Sequence, residues 1–122
     1  MKLLTKEQRE RLLKNGREQR QVKGTKAEKD FWPVVKLFNP AGAATWLLTE
    51  IDPEGEDVAA GLCDLGIGFP EFGTVSISEL ENFRGPCGLR IERDLYFEAK
   101  APISRYIDAA SEAGHITEQV TP

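Results

Sequence analysis

The sequence predicts an α+β fold: an antiparallel meander of about five strands, flanked by an N-terminal and a C-terminal helix, with one short helix inserted before the last strand. Three observations carry this expectation. Helical apolar spacing is confined to the two ends of the chain and one short segment near residue 80. Between them, apolar and alternating runs are separated by turns rich in Gly, Pro, Asn and Asp. No strand–helix–strand alternation calls for a parallel sheet.

The first helix is expected from Thr5 to Asn15. Thr5 is an N-cap residue and Gln8 stands three positions on, completing a capping box. Glu7–Arg11 and Glu10–Lys14 are i,i+4 pairs in the favourable order. Asn15-Gly16 reads as a C-terminal stop. Leu4, Leu12 and Leu13 form a narrow apolar stripe for the sheet. Residues 16–30 hold few apolar side chains and read as an exposed basic linker or a frayed helix extension. Removal of residues 1–29 is therefore expected to leave a folded remainder.

Strands follow. Pro33 keeps Trp32 extended, and Val34, Lys36 and Phe38 alternate with Val35, Leu37 and Asn39. The turn Asn39-Pro40-Ala41-Gly42 pairs this run with residues 44–51 as a hairpin. In that second run Thr45, Leu47, Thr49 and Ile51 oppose Trp46, Leu48 and Glu50. Apolar residues in both sets predict a central strand covered on both faces, with Trp46 as a core anchor. Asp52–Asp57 forms a loose turn, in which Asp52 bonds its own backbone ahead and Gly55 takes positive φ.

In the next run, 59–69, Cys63, Leu65, Ile67 and Phe69 share one face, expected to be buried. Residues 72–75 make a further short strand. Ser76, Glu79, Val75 and Leu80 occupy the cap, capping-box and staple positions of a short helix over 77–83. Residues 90–99 alternate as a half-exposed strand. Ile103, Tyr106, Ile107 and Ala110 repeat at helical spacing up to Gly114, and residues 115–122 read as a loose tail. The whole is expected to form a single domain, with its sheet-and-helix core in 31–114.

Composition narrows the function classes. The longest uncharged stretch, Leu37–Thr49, falls well short of the ~20 apolar residues that span a bilayer. The N-terminus is charged too early for a secretory signal. Cys63, Cys87 and a single histidine supply neither a disulfide scaffold nor a zinc pattern, which suits two reduced thiols and a cytoplasmic location. Charge is asymmetric. Residues 1–29 hold ten Lys or Arg against four Asp or Glu, about +6, and the remainder holds six against sixteen, about −10. A basic arm of this kind either touches nucleic acid or an acidic partner, or is simply a solvated helix and linker.

The segments LLTKEQRERLLKNG, WPVVKLFNPAGAATWLLTEIDPEGEDVAAGLCDLGIGFPEFGTVSISELE and RGPCGLRIERDLYFEA together resemble a bacterial domain-of-unknown-function family, the one numbered 2958. The resemblance spans nearly the whole chain apart from residues 17–30 and the last few. It implies similarity to small cargo proteins of plasmids, conjugative elements and prophages, with roles such as host-defence evasion or plasmid and phage maintenance. It carries over no catalytic residues.

The residues themselves assign no catalytic group, metal or cofactor. GIGFPEFG holds Gly66-x-Gly68, but Glu71 stands where a dinucleotide fingerprint needs its third glycine. Asp52, Glu54, Glu56, Asp57 and Asp64 have carboxylates for a hard cation, yet their spacing fits no calcium loop. His115 has no nucleophile beside it in sequence. Cys63 reads as an inert core thiol and Cys87 as exposed.

The informative stretch is Gly68-Phe69-Pro70-Glu71-Phe72-Gly73. Either both rings enter the core, or Phe69, Pro70 and Phe72 form a protruding apolar tip rimmed by Asp64 and Glu71 for a protein partner. The favoured function is thus a non-enzymatic interaction module that binds a host or element-encoded protein. The alternative is a small hydrolase or metal-dependent enzyme in which Asp64, Glu71 and His115 converge. A weaker one is non-specific nucleic-acid binding through Arg9, Arg17, Arg20, Lys23 and Lys26, with no aromatic among them to stack on a base.

Overall fold

The computed structural model describes residues 2–121. Its elements are α1 (Lys6–Val22), β1 (Val35–Phe38), β2 (Thr45–Ile51), β3 (Val58–Asp64), β4 (Glu71–Ser76), α2 (Ile77–Asn82), β5 (Glu92–Arg93) and α3 (Ile103–Ala113). The strands form one antiparallel sheet in the order β4-β3-β2-β1-β5. The α+β expectation holds, with the short helix before the last strand. Strands β1 to β4 meander. The chain then crosses the sheet, and β5 pairs with β1 at the far edge.

Two apolar layers cover the sheet, one on each face. Leu12 of α1, Ile77 and Leu80 of α2, and Leu3, Leu4 and Ile91 pack with Val35, Leu37, Trp46, Leu48, Ile51 and Ala59. On the other face Tyr106, Ile103 and Ala110 pack on Leu47 and Leu62. Trp46 is buried, as its central position predicts. β2 thus carries apolar side chains in both directions because both faces are covered.

The expected parity of β2 fails at one point. Pairing runs Leu48↔Gly61 and then Glu50↔Ala60, so Thr49 is a bulge residue without a partner in β3. One extra residue reverses the alternation beyond it. Ile51 therefore joins Trp46 and Leu48 on the α1 face, opposite to its assignment by simple alternation. Gly61 permits the close approach, since a Cβ there would overlap the Leu47 carbonyl.

The N-terminal helix is longer than expected. Thr5 and Gln8 form the reciprocal capping box, but α1 continues through Asn15-Gly16 to Val22. Gly16 is a close-approach glycine: a Cβ would overlap the Ile51 carbonyl. Residues 16–22 are thus helix, and residues 23–30 fold back on it. Gln19 donates to the Lys29 carbonyl at 2.9 Å and accepts from the Lys29 amide at 2.8 Å. Asp30 then accepts from the Ser104 amide at 3.0 Å, capping the first turn of α3 from a distant part of the chain.

Three further expectations are corrected. Gly55 does not carry the positive φ of the 52–57 turn; Asp57 does, at 56°. The strand expected over 90–99 reduces to Glu92–Arg93, and the chain turns at Leu95 and Tyr96, which are exposed. Residues 115–121 of the tail are pinned rather than loose, and Pro122 lies outside the described residues. Ile116 and Val120 pack on the α3 layer, and Glu118 meets the Lys36 ammonium at 2.6 Å.

Candidate functional site

β3 ends at Asp64, and the chain between it and β4 forms a loop with an apolar tip. Gly66 and Gly68 adopt positive φ, 83° and 91°, which breaks the strand alternation. Leu65, Ile67 and Phe69, expected on a buried face, are instead 63, 69 and 75% exposed. The signal in the sequence was the pair of glycines, which interrupt the period of two that the burial argument assumed.

The base of this loop is held firmly. Asp64 is buried and does not rim the tip. Its Oδ1 accepts from the Gly66 amide at 2.8 Å and its Oδ2 from the Ile116 amide at 3.0 Å. One carboxylate therefore ties the loop to the C-terminal tail, with both oxygens satisfied. Pro70 is buried where the chain enters β4. Glu71 is exposed, and Phe72 is 47% exposed on the α3 face, in register with Leu62. Of the five residues singled out for a partner, the structure exposes Phe69, Glu71 and Phe72, and buries Asp64 and Pro70.

The residues singled out for nucleic acid lie along α1 and just beyond it. Arg9 is half-buried and bonds Asp57 at 2.7 Å. Arg20 meets Glu54 at 2.5 Å and Asp52 at 3.8 Å. Arg17, Lys23 and Lys26 are exposed, and none has an ion pair within 4.0 Å among the described residues. The basic helix thus spends two of its cations on the acidic 52–57 turn.

Two clefts lie elsewhere. A cleft of about 440 Å³ is bordered by Leu3, Glu81, Leu89, Ile91, Arg93 and Leu95. Its polar groups hold the N-terminal segment: the Leu3 amide donates to Glu81 at 3.2 Å, and Arg93 donates to the Leu3 carbonyl at 2.7 Å. A second, of about 140 Å³, contains Glu50, Lys23, Arg20 and Thr74. Burial pushes the Glu50 carboxyl above its ordinary range, against the lowering effect of the Thr49 hydroxyl at 2.9 Å and the Lys23 charge.

Asp64, Glu71 and His115 do not share either cleft. His115 is exposed, with Nδ1 3.0 Å from the Ile116 carbonyl. Burial raises the Cys63 thiol pKa, which disfavours its thiolate. Cys87 is exposed at a φ of 58°. Among the described residues no group of three or more His, Cys, Asp or Glu is placed to hold a metal ion, and no helix is long and apolar enough to cross a membrane.

Sheet, helices and loop together define a small α+β protein with three exposed apolar side chains on one glycine-hinged loop, and with Leu95 and Tyr96 exposed on the turn after β5. The chain belongs to the family described as Protein of unknown function (DUF2958), which it matches over residues 3–117. No curated protein and no solved structure matches it.

Proposed function

We propose that this protein is a non-enzymatic interaction module that docks a protein partner on the loop 65–69, with Phe72 and Glu71 beside it. One observation carries the reading. Leu65, Ile67 and Phe69 are each more than 60% exposed on a loop whose base is anchored by a buried carboxylate. Apolar side chains held out in this way bring contact area at a low ordering cost, the property of binding anchors. The partner is a host or element-encoded protein, and the setting is the cytoplasm of a cell that carries a mobile genetic element.

The test is the double variant Ile67→Ser with Phe69→Ser. Both side chains are exposed, so the variant is expected to keep the unfolding midpoint of the parent while losing a protein captured from host lysate by the parent. Capture that is equal for parent and variant would overturn the reading.

A further inference from the structure

The two edges of the sheet are built differently. At one edge β5 is two residues long, both charged, and Arg93 is turned to bond the Leu3 carbonyl. Short, charged edge strands resist addition of another strand. At the other edge stands β4, six residues long, with the sequence EFGTVS. It holds no Lys, Arg or Pro, and its register with β3 is regular throughout. Nothing among the described residues pairs with its outer side. Phe, Thr and Val are strand-forming residues, so the row of backbone groups they present is a template for pairing.

We infer that β4 pairs antiparallel with β4 of a second copy of this chain, about a two-fold axis beside Gly73. A sheet continued through such an axis pairs residues of equal parity, because paired side chains share a face. Centred on Gly73, the pairing sets Glu71 opposite the second copy's Val75 and Phe72 opposite its Thr74. The two Phe72 rings become diagonal neighbours, ~7–8 Å apart between backbones and within aromatic reach. Each ring is 47% exposed in the single chain.

Charge favours this arrangement. Glu71 is the only charged residue of β4. Antiparallel pairing places the two Glu71 side chains at opposite ends, about 13 Å apart at ~3.3 Å per residue. That exceeds the ~8 Å screening length at physiological salt. A centre one position earlier would set Glu71 against Gly73 and draw Pro70, which has no N–H, into the ladder. A centre one position later would set Glu71 against Ile77, the first residue of α2. The proposal shares Phe72 and Glu71 with the docking surface proposed above, but the Gly73 variants probe the β4 ladder alone, while Ile67 and Phe69 lie outside the paired segment.

The experiment is the solution mass of the full chain by sedimentation or light scattering. The expected result is twice 13.6 kDa, falling to the single-chain value on dilution. Nothing lies within 4 Å of a Cβ built on Gly73, so Gly73→Lys fits the single chain. In the dimer it sets like charges directly opposite, and it is expected to weaken association by up to about fivefold. In a Cys87→Ser background, Gly73→Cys is expected to form an intermolecular disulfide on mild oxidation, because its two Cα atoms would lie ~4.5–5.5 Å apart, within the span a disulfide bridges. A single-chain mass at ~0.1 mM protein would overturn the proposal, as it limits any dimer to a dissociation constant weaker than this. So would a dimer that is indifferent to Gly73→Lys and gives no cross-link with Gly73→Cys.

Discussion

The Asn15 carboxamide donates to the Thr49 carbonyl at 2.9 Å, and both residues are buried. Thr49 is the bulge residue of β2 and has no register partner in β3, where only its hydroxyl reaches the Ala60 carbonyl, at 3.3 Å. Its carbonyl would otherwise be an unpaired acceptor inside the protein. The helix supplies the missing donor one residue before Gly16 brings it against Ile51. No buried side-chain polar atom among the described residues is left without a partner.

Asn15→Ala removes that donor and leaves the Thr49 carbonyl unsatisfied. The expected cost is about 1–3 kcal/mol, read as a lower urea midpoint at unchanged slope. An unchanged midpoint would mean that the bulge carbonyl finds water in the native state.

The first helix is part of the core, which reverses the expectation that residues 1–29 can be removed. Leu12 is fully buried, and Leu3 and Leu4 nearly so. Leu12→Ala is expected to cost ~2–5 kcal/mol. Deletion of residues 1–29 is expected to abolish the cooperative thermal transition. A truncated chain that still unfolds cooperatively would show that the remaining layers suffice.

Glu50 gives a pH dependence with a definite sign. Its carboxyl pKa is raised above the ordinary value of 4.5 by burial, so the folded protein favours the protonated form. That contribution is present below the unfolded value and is lost as pH rises through the folded one. Glu50→Gln removes the titration. The variant is expected to gain stability relative to the parent as pH rises from acid to neutral, measured as the difference in thermal midpoint. A difference that does not change with pH would remove burial as the cause.

Nucleic-acid binding is expected to be weak and strongly salt-dependent. Arg9 and Arg20 are engaged by Asp57, Glu54 and Asp52, which leaves Arg17, Lys23 and Lys26 as the exposed cations singled out. Neutralising Arg17, Lys23 and Lys26 together should lower the salt slope by up to about 3, since each phosphate contact contributes ~0.9. Mobility shifts at several salt concentrations read this directly. Sequence-selective binding that survives the triple variant would place the contact surface elsewhere.

What the sequence determined by itself was local. The capping box of Thr5 and Gln8, the Asn39–Gly42 turn, the Ser76 cap and the helical repeat ending at Gly114 are short-range patterns. Each is satisfied within a few residues of itself. The apolar content of β2 was equally legible, because a strand covered twice needs apolar residues in both directions. What only the tertiary structure decided depended on contacts between distant segments. Gly16 became a crossing point because Ile51 lies against it, and Ile51 changed face because Thr49 bulges. Asp64 became an anchor because the tail arrives at Ile116, and Leu65, Ile67 and Phe69 faced solvent because no later segment among the described residues covers them. Spacing along a chain reports the period of a local element. Which faces of that element are covered depends on segments that fold onto it from elsewhere.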